Sequence, residues 1–254
     1  MPDPLPKTAT PVRTASVQLT IRGRKVGMRF SVPDRALRPG ELLSFYRTMS
    51  EGLMSLAVHD AKSYGHQVSC RAGCGACCRQ LVPISAIEAR HLTKLIEAMP
   101  EPRRSQIRER FAQAREKLEA AGLMPRLSNP QDAPPEQMRE LNLEYWALRI
   151  PCPFLENESC SIYKDRPVAC REYLVVSDPK HCAEERPENV RALEPPGGPI
   201  TQRMPRTDRS AGGRPIDWVP LILSPDYAKD HPDEGPARPS QEWVEELFKG
   251  LPGE

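Results

Sequence analysis

The cysteines of this chain are confined to one window, and this feature restricts the possible folds more than any other. Four of the eight lie within nine residues, in the run CRAGCGACC at 70–78. The other four follow at longer intervals, at Cys152, Cys160, Cys170 and Cys182. Thiols used only for packing would be scattered along the sequence. We therefore expect a fold that brings two cysteine groups together around metal.

Cellular compartment decides whether eight thiols indicate disulfides or ligands. The first residues, MPDPLPKTATP, contain no apolar segment of the kind that directs export. The longest apolar stretch, 218–223, is too short to span a bilayer. We therefore expect a cytoplasmic protein outside the membrane, where clustered cysteines bind metal or carry out redox chemistry. A net charge of +2 gives no indication of a nucleic-acid partner, and a protein partner stays open.

Hydrophobic periodicity predicts an α+β fold, a mostly helical single domain with short β-hairpins, held together by a cysteine-ligated metal site. We expect 1–14 to be a disordered tail and 15–69 to form a hairpin and a long helix. Residues 70–182 would form the cysteine domain, and 183–254 a proline-rich extension partly packed on the core. The expected core positions are all apolar: Leu53, Leu56, Leu92, Leu95, Phe111, Leu118, Phe154, Leu155 and Ile162.

Local patterns predict the individual elements. The strands and helices are expected at 16–21, 26–32, 39–64, 103–121, 135–147 and 240–249. Ser85 and Glu88 form a capping-box pattern at the start of a further helix. A tight hairpin is predicted between Cys152 and Cys160. Asp165 is predicted to cap the short cysteine-bearing helix that follows. Residues 122–135 are expected to form a loop, and 218–223 a strand.

The cysteine spacing favours metal ligation. Cys74 and Cys77 are separated by two residues, which lets both sulfurs reach one ion. Eight thiolates permit two sites or one site with spare thiols, and four satisfy either Zn²⁺ or a [4Fe–4S] cluster. The adjacent Cys77 and Cys78 point in different directions, so one of them serves a second site, bridges two metals or remains a reactive thiol. The candidate ligands are Cys70, Cys74, Cys77, Cys78, Cys152, Cys160, Cys170 and Cys182.

Two arginines, Arg166 and Arg171, flank the cysteine of the short helix. We expect their guanidinium groups to lie beside the thiolate ligands and to offset the negative charge of a four-thiolate site. The alternative is an exposed arginine and an ion pair with Asp165 or Glu172. His181 is adjacent to a cysteine and is an alternative ligand.

With both groups placed, the sequence resembles the YkgJ-type cysteine-cluster family (CxxCxxCC), whose members are described as zinc- or iron-chelating domains. The resemblance is carried by CRAGCGACC and by CPFLENESCSIYKDRPVACREY, and covers roughly residues 70–182. It implies that the cysteines bind an iron–sulfur cluster or Zn²⁺/Fe²⁺. It implies no particular reaction, so enzymatic activity stays open.

Two functions therefore compete. The first is a protein whose two cysteine groups ligate an iron–sulfur cluster, with a redox role. The second is a zinc- or iron-chelating structural or interaction module without catalysis. A radical enzyme using S-adenosylmethionine would also fit the spacing at 70–77, but Ala76 stands where such enzymes usually have an aromatic residue. The strand–helix alternation of a barrel is missing as well.

Overall fold

The structure is a computed structural model, and it describes residues 11–21, 24–128, 134–184, 187–204, 218–232 and 234–249. Most of the predicted N-terminal tail, 1–10, lies outside these ranges. The described part is mostly helical, with short antiparallel strand pairs, which confirms the α+β class. None of its helices combines the length and the apolar character needed to cross a bilayer.

The helices are α1 Leu43–Ser63, α2 Ala86–Glu97, α3 Arg103–Ala120, α4 Met124–Ser128, α5 Pro135–Ala147, α6 Val168–Glu172, α7 Ser224–Asp230 and α8 Ser240–Phe248. The strands are β1 Val12–Ile21, β2 Arg24–Pro33, β3 Ala36–Leu37, β4 Pro83–Ile84, β5 Leu155–Glu156, β6 Ser159–Cys160, β7 Val219–Pro220 and β8 Arg238–Pro239. Strands pair as β1–β2, β3–β8, β4–β7 and β5–β6, all antiparallel.

The predicted N-terminal hairpin is confirmed and is longer than the alternation indicates. Val12 pairs with Pro33 at its base, and Ile21 pairs with Arg24 at its tip. The C-terminal extension returns to the base of this hairpin, because β8 pairs with β3 and the Trp243 indole donates a 2.9 Å hydrogen bond to the Leu37 carbonyl. The described residues of the extension after 217 are therefore part of the fold.

Three apolar clusters form the core. The first joins β2, α1 and α8, the second lies between α2 and α3, and the third joins α3, α4 and α5. Of the nine predicted core residues, six are buried, at Leu53, Leu92, Phe111, Leu118, Phe154 and Ile162. The others, at positions 56, 95 and 155, are half-buried. Periodicity locates the buried face well but does not locate its edges.

Several local predictions are corrected. Asp165 does not cap α6: its N-cap is Pro167, without a side-chain bond, and the Asp165 carboxylate instead accepts from Arg47 at 3.2 Å. The expected loop at 122–135 contains α4, and its residues 129–133 lie outside the described part. Only Val219–Pro220 of the expected strand pairs, and a 3₁₀ turn follows it.

Candidate metal centre

The cysteine-bearing segments lie where the three apolar clusters meet. Val168, at the start of α6, belongs to the first cluster. Cys152 and Cys160 pack against the second. Leu81 and Ile150, which border the two cysteine motifs, belong to the third. The cysteines are therefore held by the core from three sides, although seven of the eight are only partly buried.

The two cysteine groups are joined through their backbones. The amide of Cys152 donates a 2.7 Å hydrogen bond to the carbonyl oxygen of Cys78, which lies in a 3₁₀ turn at Ala76–Arg79. The chain then turns, with Leu155 N–H donating to the Cys152 carbonyl at 2.8 Å, and enters the β5–β6 hairpin. Leu155 pairs with Cys160 in this hairpin, which returns the second thiol to the same end. The predicted tight hairpin is confirmed.

A bidentate ion pair fixes the hairpin tip against the first motif. Arg79 donates to both carboxylate oxygens of Glu158, at 3.0 and 2.6 Å, and also to the Gly75 carbonyl at 3.0 Å. Glu158 and Asn157 form the tip with positive φ angles of 56° and 50°. A Cβ on Gly75 would lie 2.7 Å from a Leu155 methyl and 3.2 Å from the Glu158 Cα, so a larger residue would force these neighbours to shift.

Cys182 lies beside the first motif although more than a hundred residues separate them. The Gln80 side-chain amide donates to the Cys182 carbonyl at 3.0 Å. The Tyr173 hydroxyl donates to the Cys182 thiol. Cys70 is fixed to the same region, because its sulfur accepts from the Val175 amide at 3.4 Å. The chain that leaves α6 is therefore packed along both ends of the first motif.

A buried glutamate positions the helix that carries Cys170. The Ser85–Glu88 capping box predicted for α2 is confirmed, and Glu88 is 1% exposed. The second oxygen of the Glu88 carboxylate accepts a 2.6 Å hydrogen bond from the Val168 amide, the first residue of α6. Burial raises the pKa of Glu88. One carboxylate therefore serves the N-termini of two helices.

Backbone amides point at several of the sulfurs. The Phe154 amide donates to the Cys152 sulfur and the Ile162 amide donates to the Cys160 sulfur, each from two residues further along the chain. Amide dipoles aimed at sulfur stabilise the thiolate form. Burial acts in the other direction, and raises the pKa of Cys152 to about 12 and that of Cys182 to about 11. Burial also raises the thiol pKa of Cys70, Cys160 and Cys170.

The adjacent thiols differ in acidity. A hydrogen bond from the Cys78 thiol lowers the pKa of Cys77 to about 7, against the effect of burial. The same bond and burial raise the pKa of Cys78. Cys77 is therefore the thiol that ionises first near neutral pH, and it is electrostatically coupled to cysteines of both groups.

The two arginines behave differently. The positive charge of Arg166 lowers the pKa of Cys70, Cys77 and Cys160, although burial outweighs it at Cys70 and Cys160. Its guanidinium stacks on the Tyr163 ring at 4.2 Å. The charge of Arg171 also acts to lower the pKa of Cys160, but its guanidinium donates to the Arg166 carbonyl at 3.0 Å and to the Lys164 carbonyl, and forms an ion pair with Glu51.

The ion-pair alternatives for these arginines are not what the structure shows. Asp165 pairs with Arg47, and Glu172 accepts from the Ile200 and Thr201 amides at 2.7 and 3.2 Å. His181 has its Nδ1 3.0 Å from a Glu184 carboxylate oxygen. Its other ring nitrogen remains the candidate ligand atom.

The chemistry of the donor set fits a soft metal. All eight thiols are free, they lie on segments of the chain that contact one another, and sulfur is the donor that Zn²⁺ and iron–sulfur clusters share. Among the residues that the structure describes, no three His, Cys, Asp or Glu side chains are grouped so as to hold an ion. The segments that carry the cysteines therefore contact one another, but the described residues do not show a complete set of ligands around one ion.

Several residues of this centre were not found by sequence reasoning. Arg79 and Glu158 are ordinary surface charges in the sequence, and only the tertiary fold brings them together. The sequence predicts Glu88 as a cap for its own helix, but its second partner, the Val168 amide, lies 80 residues away. The sequence predicts a tight hairpin between Cys152 and Cys160, but not the positive φ angles of Asn157 and Glu158 at its tip. For the Arg79–Glu158 pair, the one signal in the sequence is the basic residue directly after Cys78, and this signal is weak.

Comparison with known families identifies the class of this domain. Residues 69–192 match the model of the CxxCxxCC family, described as "Putative zinc- or iron-chelating domain". The match spans both cysteine motifs, as the resemblance predicts. Neither the comparison with curated proteins nor that with solved structures gives a match.

Proposed function

We propose that this protein binds metal through its two cysteine groups and that the bound species is an iron–sulfur cluster with a redox role. The family description supports a zinc- or iron-chelating domain. The observation that carries the proposal is the direct joining of the two groups, in which the Cys152 amide bonds to the Cys78 carbonyl. A metal ligated from both groups would cross-link a junction that the backbone already forms.

The surroundings of the sulfurs favour the iron–sulfur form. The Cys70, Cys152 and Cys160 sulfurs accept backbone N–H groups, and the charge of Arg166 acts on thiols of both groups. Hydrogen bonds to sulfur and nearby charge are the means by which proteins set the reduction potential of a cluster. When bound, a cluster would supply one-electron transfer. The chain itself would hold the sulfurs, and the charge of Arg166 would act on them.

A zinc or iron chelating module without catalysis is the second candidate. The Cys74-x-x-Cys77 spacing and the hairpin thiols with N–H···S contacts are also typical of structural zinc sites. In that case the metal would stabilise residues 69–192 and the N-terminal hairpin and C-terminal extension would provide contacts to a partner.

Anaerobic purification separates the two candidates. Iron, zinc and acid-labile sulfide are measured on one sample, together with its visible spectrum before and after reduction by dithionite. Iron with equimolar sulfide and a visible band that bleaches on reduction supports the cluster. Zinc without sulfide or colour contradicts the iron–sulfur proposal and supports the chelating module.

A further inference from the structure

A groove lies between helix α3 and the β5–β6 hairpin, and none of its lining residues is a cysteine. Its cavity volume is about 600 Å³, which is within the range of small-molecule sites. The two walls are formed by Arg103, Gln106 and Arg110 of α3 and by Leu155, Glu156 and Asn157 of the hairpin. We propose that this groove binds a small organic phosphate. The inference goes beyond the proposed function and does not require that the cysteines bind metal.

The hairpin holds the two arginines of the groove in place. Arg110 donates from Nη1 to the Pro153 carbonyl at 3.0 Å and to a Glu156 carboxylate oxygen at 3.1 Å. Arg103 donates from Nη2 to the Ser161 carbonyl at 3.3 Å, and its Nη1 lies 3.8 Å from the other Glu156 oxygen. These contacts fasten the hairpin to α3. They also fix the guanidinium groups before a ligand arrives, which reduces the entropy lost on binding.

The groove holds more hydrogen-bond donors than acceptors. A guanidinium group carries N–H donors on all three nitrogens, and within the described chain Arg103 and Arg110 each use only part of theirs. Gln106 and Asn157 are exposed, and their side-chain amides have no hydrogen-bond partner among the residues that the structure describes. Two arginines against the single carboxylate of Glu156 leave a net positive charge. A ligand rich in acceptor oxygens therefore fits this lining.

The charge and the size of the groove favour an organic phosphate over a carboxylate. Attraction to a net positive charge grows with the charge of the ligand, and a phosphate monoester carries about −1.5 to −2 at pH 7, against about −1 for a carboxylate. Its three oxygens can accept from two separate guanidinium groups. A bare phosphate would fill only a small part of the cavity, and the apolar lining residues Pro102 and Leu155 offer contact to an organic portion.

Phenyl phosphate is the probe, and benzoate and benzyl alcohol, which share its ring, are the comparisons. Each compound is titrated into the full chain near neutral pH, and its dissociation constant is measured by saturation-transfer NMR. We expect a dissociation constant of about 1 mM or less for phenyl phosphate, roughly tenfold weaker binding of benzoate and no binding of benzyl alcohol. Equal affinity for phenyl phosphate and benzoate, or no binding of phenyl phosphate at about 10 mM, overturns the proposal.

Two variants with matched controls place the binding in the groove. Gln106→Glu cancels the net positive charge of the lining and should weaken phenyl phosphate binding by roughly tenfold or more. Gln137→Glu makes the same change at an exposed position of α5 and should leave the affinity within about twofold. Arg103→Gln should weaken binding by about tenfold, whereas Arg108→Gln, on the same helix outside the groove, should not. Equal effects of a variant and its control would mean that binding follows the net charge of the chain, and would overturn the groove site.

Folding and metal content are measured on the same samples. Arg103→Gln also removes the hydrogen bond to Ser161, so its melting temperature is compared with that of the wild type. If this variant unfolds, Gln106→Glu decides the outcome, because Gln106 is exposed and its side chain has no partner in the described chain. A wild-type chain with full metal content that fails to bind phenyl phosphate refutes the groove site and leaves the proposed function standing. A wild-type chain that binds phenyl phosphate but no metal gives the reverse result.

Discussion

The backbone amide of Cys152 donates a 2.7 Å hydrogen bond to the carbonyl oxygen of Cys78. Seventy-three residues of intervening chain, which include the helices α2 to α5, fold so that the two cysteine motifs meet at this bond. The contact depends on backbone atoms and not on thiol chemistry. The motifs are therefore joined by the fold itself, and metal would act on a junction that already exists.

Gly75→Ala should weaken the contact between the first motif and the hairpin. The added methyl group would lie within 2.7 Å of a Leu155 methyl and against the Glu158 backbone. Overpacking of this kind typically costs about 1–3 kcal/mol, which we expect as a loss in the free energy of unfolding by urea.

Gly27→Ala is the matched control, because a Cβ there meets nothing within 4 Å. Its stability should stay within about 0.5 kcal/mol of the wild type. Equal stabilities of Gly75→Ala and Gly27→Ala would show that the β5–β6 hairpin does not lie close enough to Gly75 for an added methyl group to matter.

Glu88→Ala should destabilise the fold and loosen α6. The change removes the acceptor of the Val168 and Ser85 amides, which are both buried. We expect a loss of roughly 2–6 kcal/mol, from about 1–3 kcal/mol for each of the two buried donors left without a partner. Hydrogen exchange should speed up most at the Val168 amide. Unchanged exchange there would mean that Glu88 does not hold α6.

Cys77 should be the first thiol to react in the metal-free protein. Its pKa is lowered to about 7 by the Cys78 thiol, so its labelling by iodoacetamide should rise through pH 7 and level off above it. Burial raises the pKa of Cys152 to about 12, and its labelling should still be slow at pH 8. Site-resolved mass spectrometry measures both rates. Faster labelling of Cys78 than of Cys77 at pH 7 would show that Cys78, and not Cys77, has the lower pKa.

Arg166→Gln should weaken metal binding without unfolding the chain. The positive charge of Arg166 acts on thiols of both cysteine groups, so its removal should raise the dissociation constant for Zn²⁺ by about tenfold, or about 1.4 kcal/mol. Competition with a chromophoric chelator measures it. Lys164→Gln, an exposed position two residues away, makes the same charge change and serves as the control. Equal losses of zinc affinity in both variants would show that Arg166 acts through the net charge of the chain and not through its position beside the thiols.

Local features of this fold could be predicted from the sequence, because they depend on neighbours along the chain. The Ser85–Glu88 cap, the N-terminal hairpin and the turn between Cys152 and Cys160 are all of this kind. The two-residue strand pairs β3–β8 and β4–β7 carry no periodic signal, so sequence patterns do not predict them.

The sequence identifies candidate ligands but not their arrangement. Eight cysteines lie in one window, but which of them can share a site depends on where Cys182 returns, after the chain has left α6. The predicted role of Asp165 is wrong because of a distant residue. Its position before α6 favours a helix cap, but its carboxylate accepts a hydrogen bond from Arg47, which lies 118 residues away in the sequence. Such long-range competition has no local signal.

Metal content of the folded chain tests the central claim most directly. The protein is purified anaerobically without an affinity tag, and iron and zinc are measured per chain by mass spectrometry of the elements, together with thiols that react before and after denaturation. We predict at least one zinc ion or one iron–sulfur cluster per chain, with thiols that become reactive only after chelation or unfolding. A folded chain with less than about a tenth of a metal equivalent, and eight thiols free to react after it is saturated with zinc, would contradict the account.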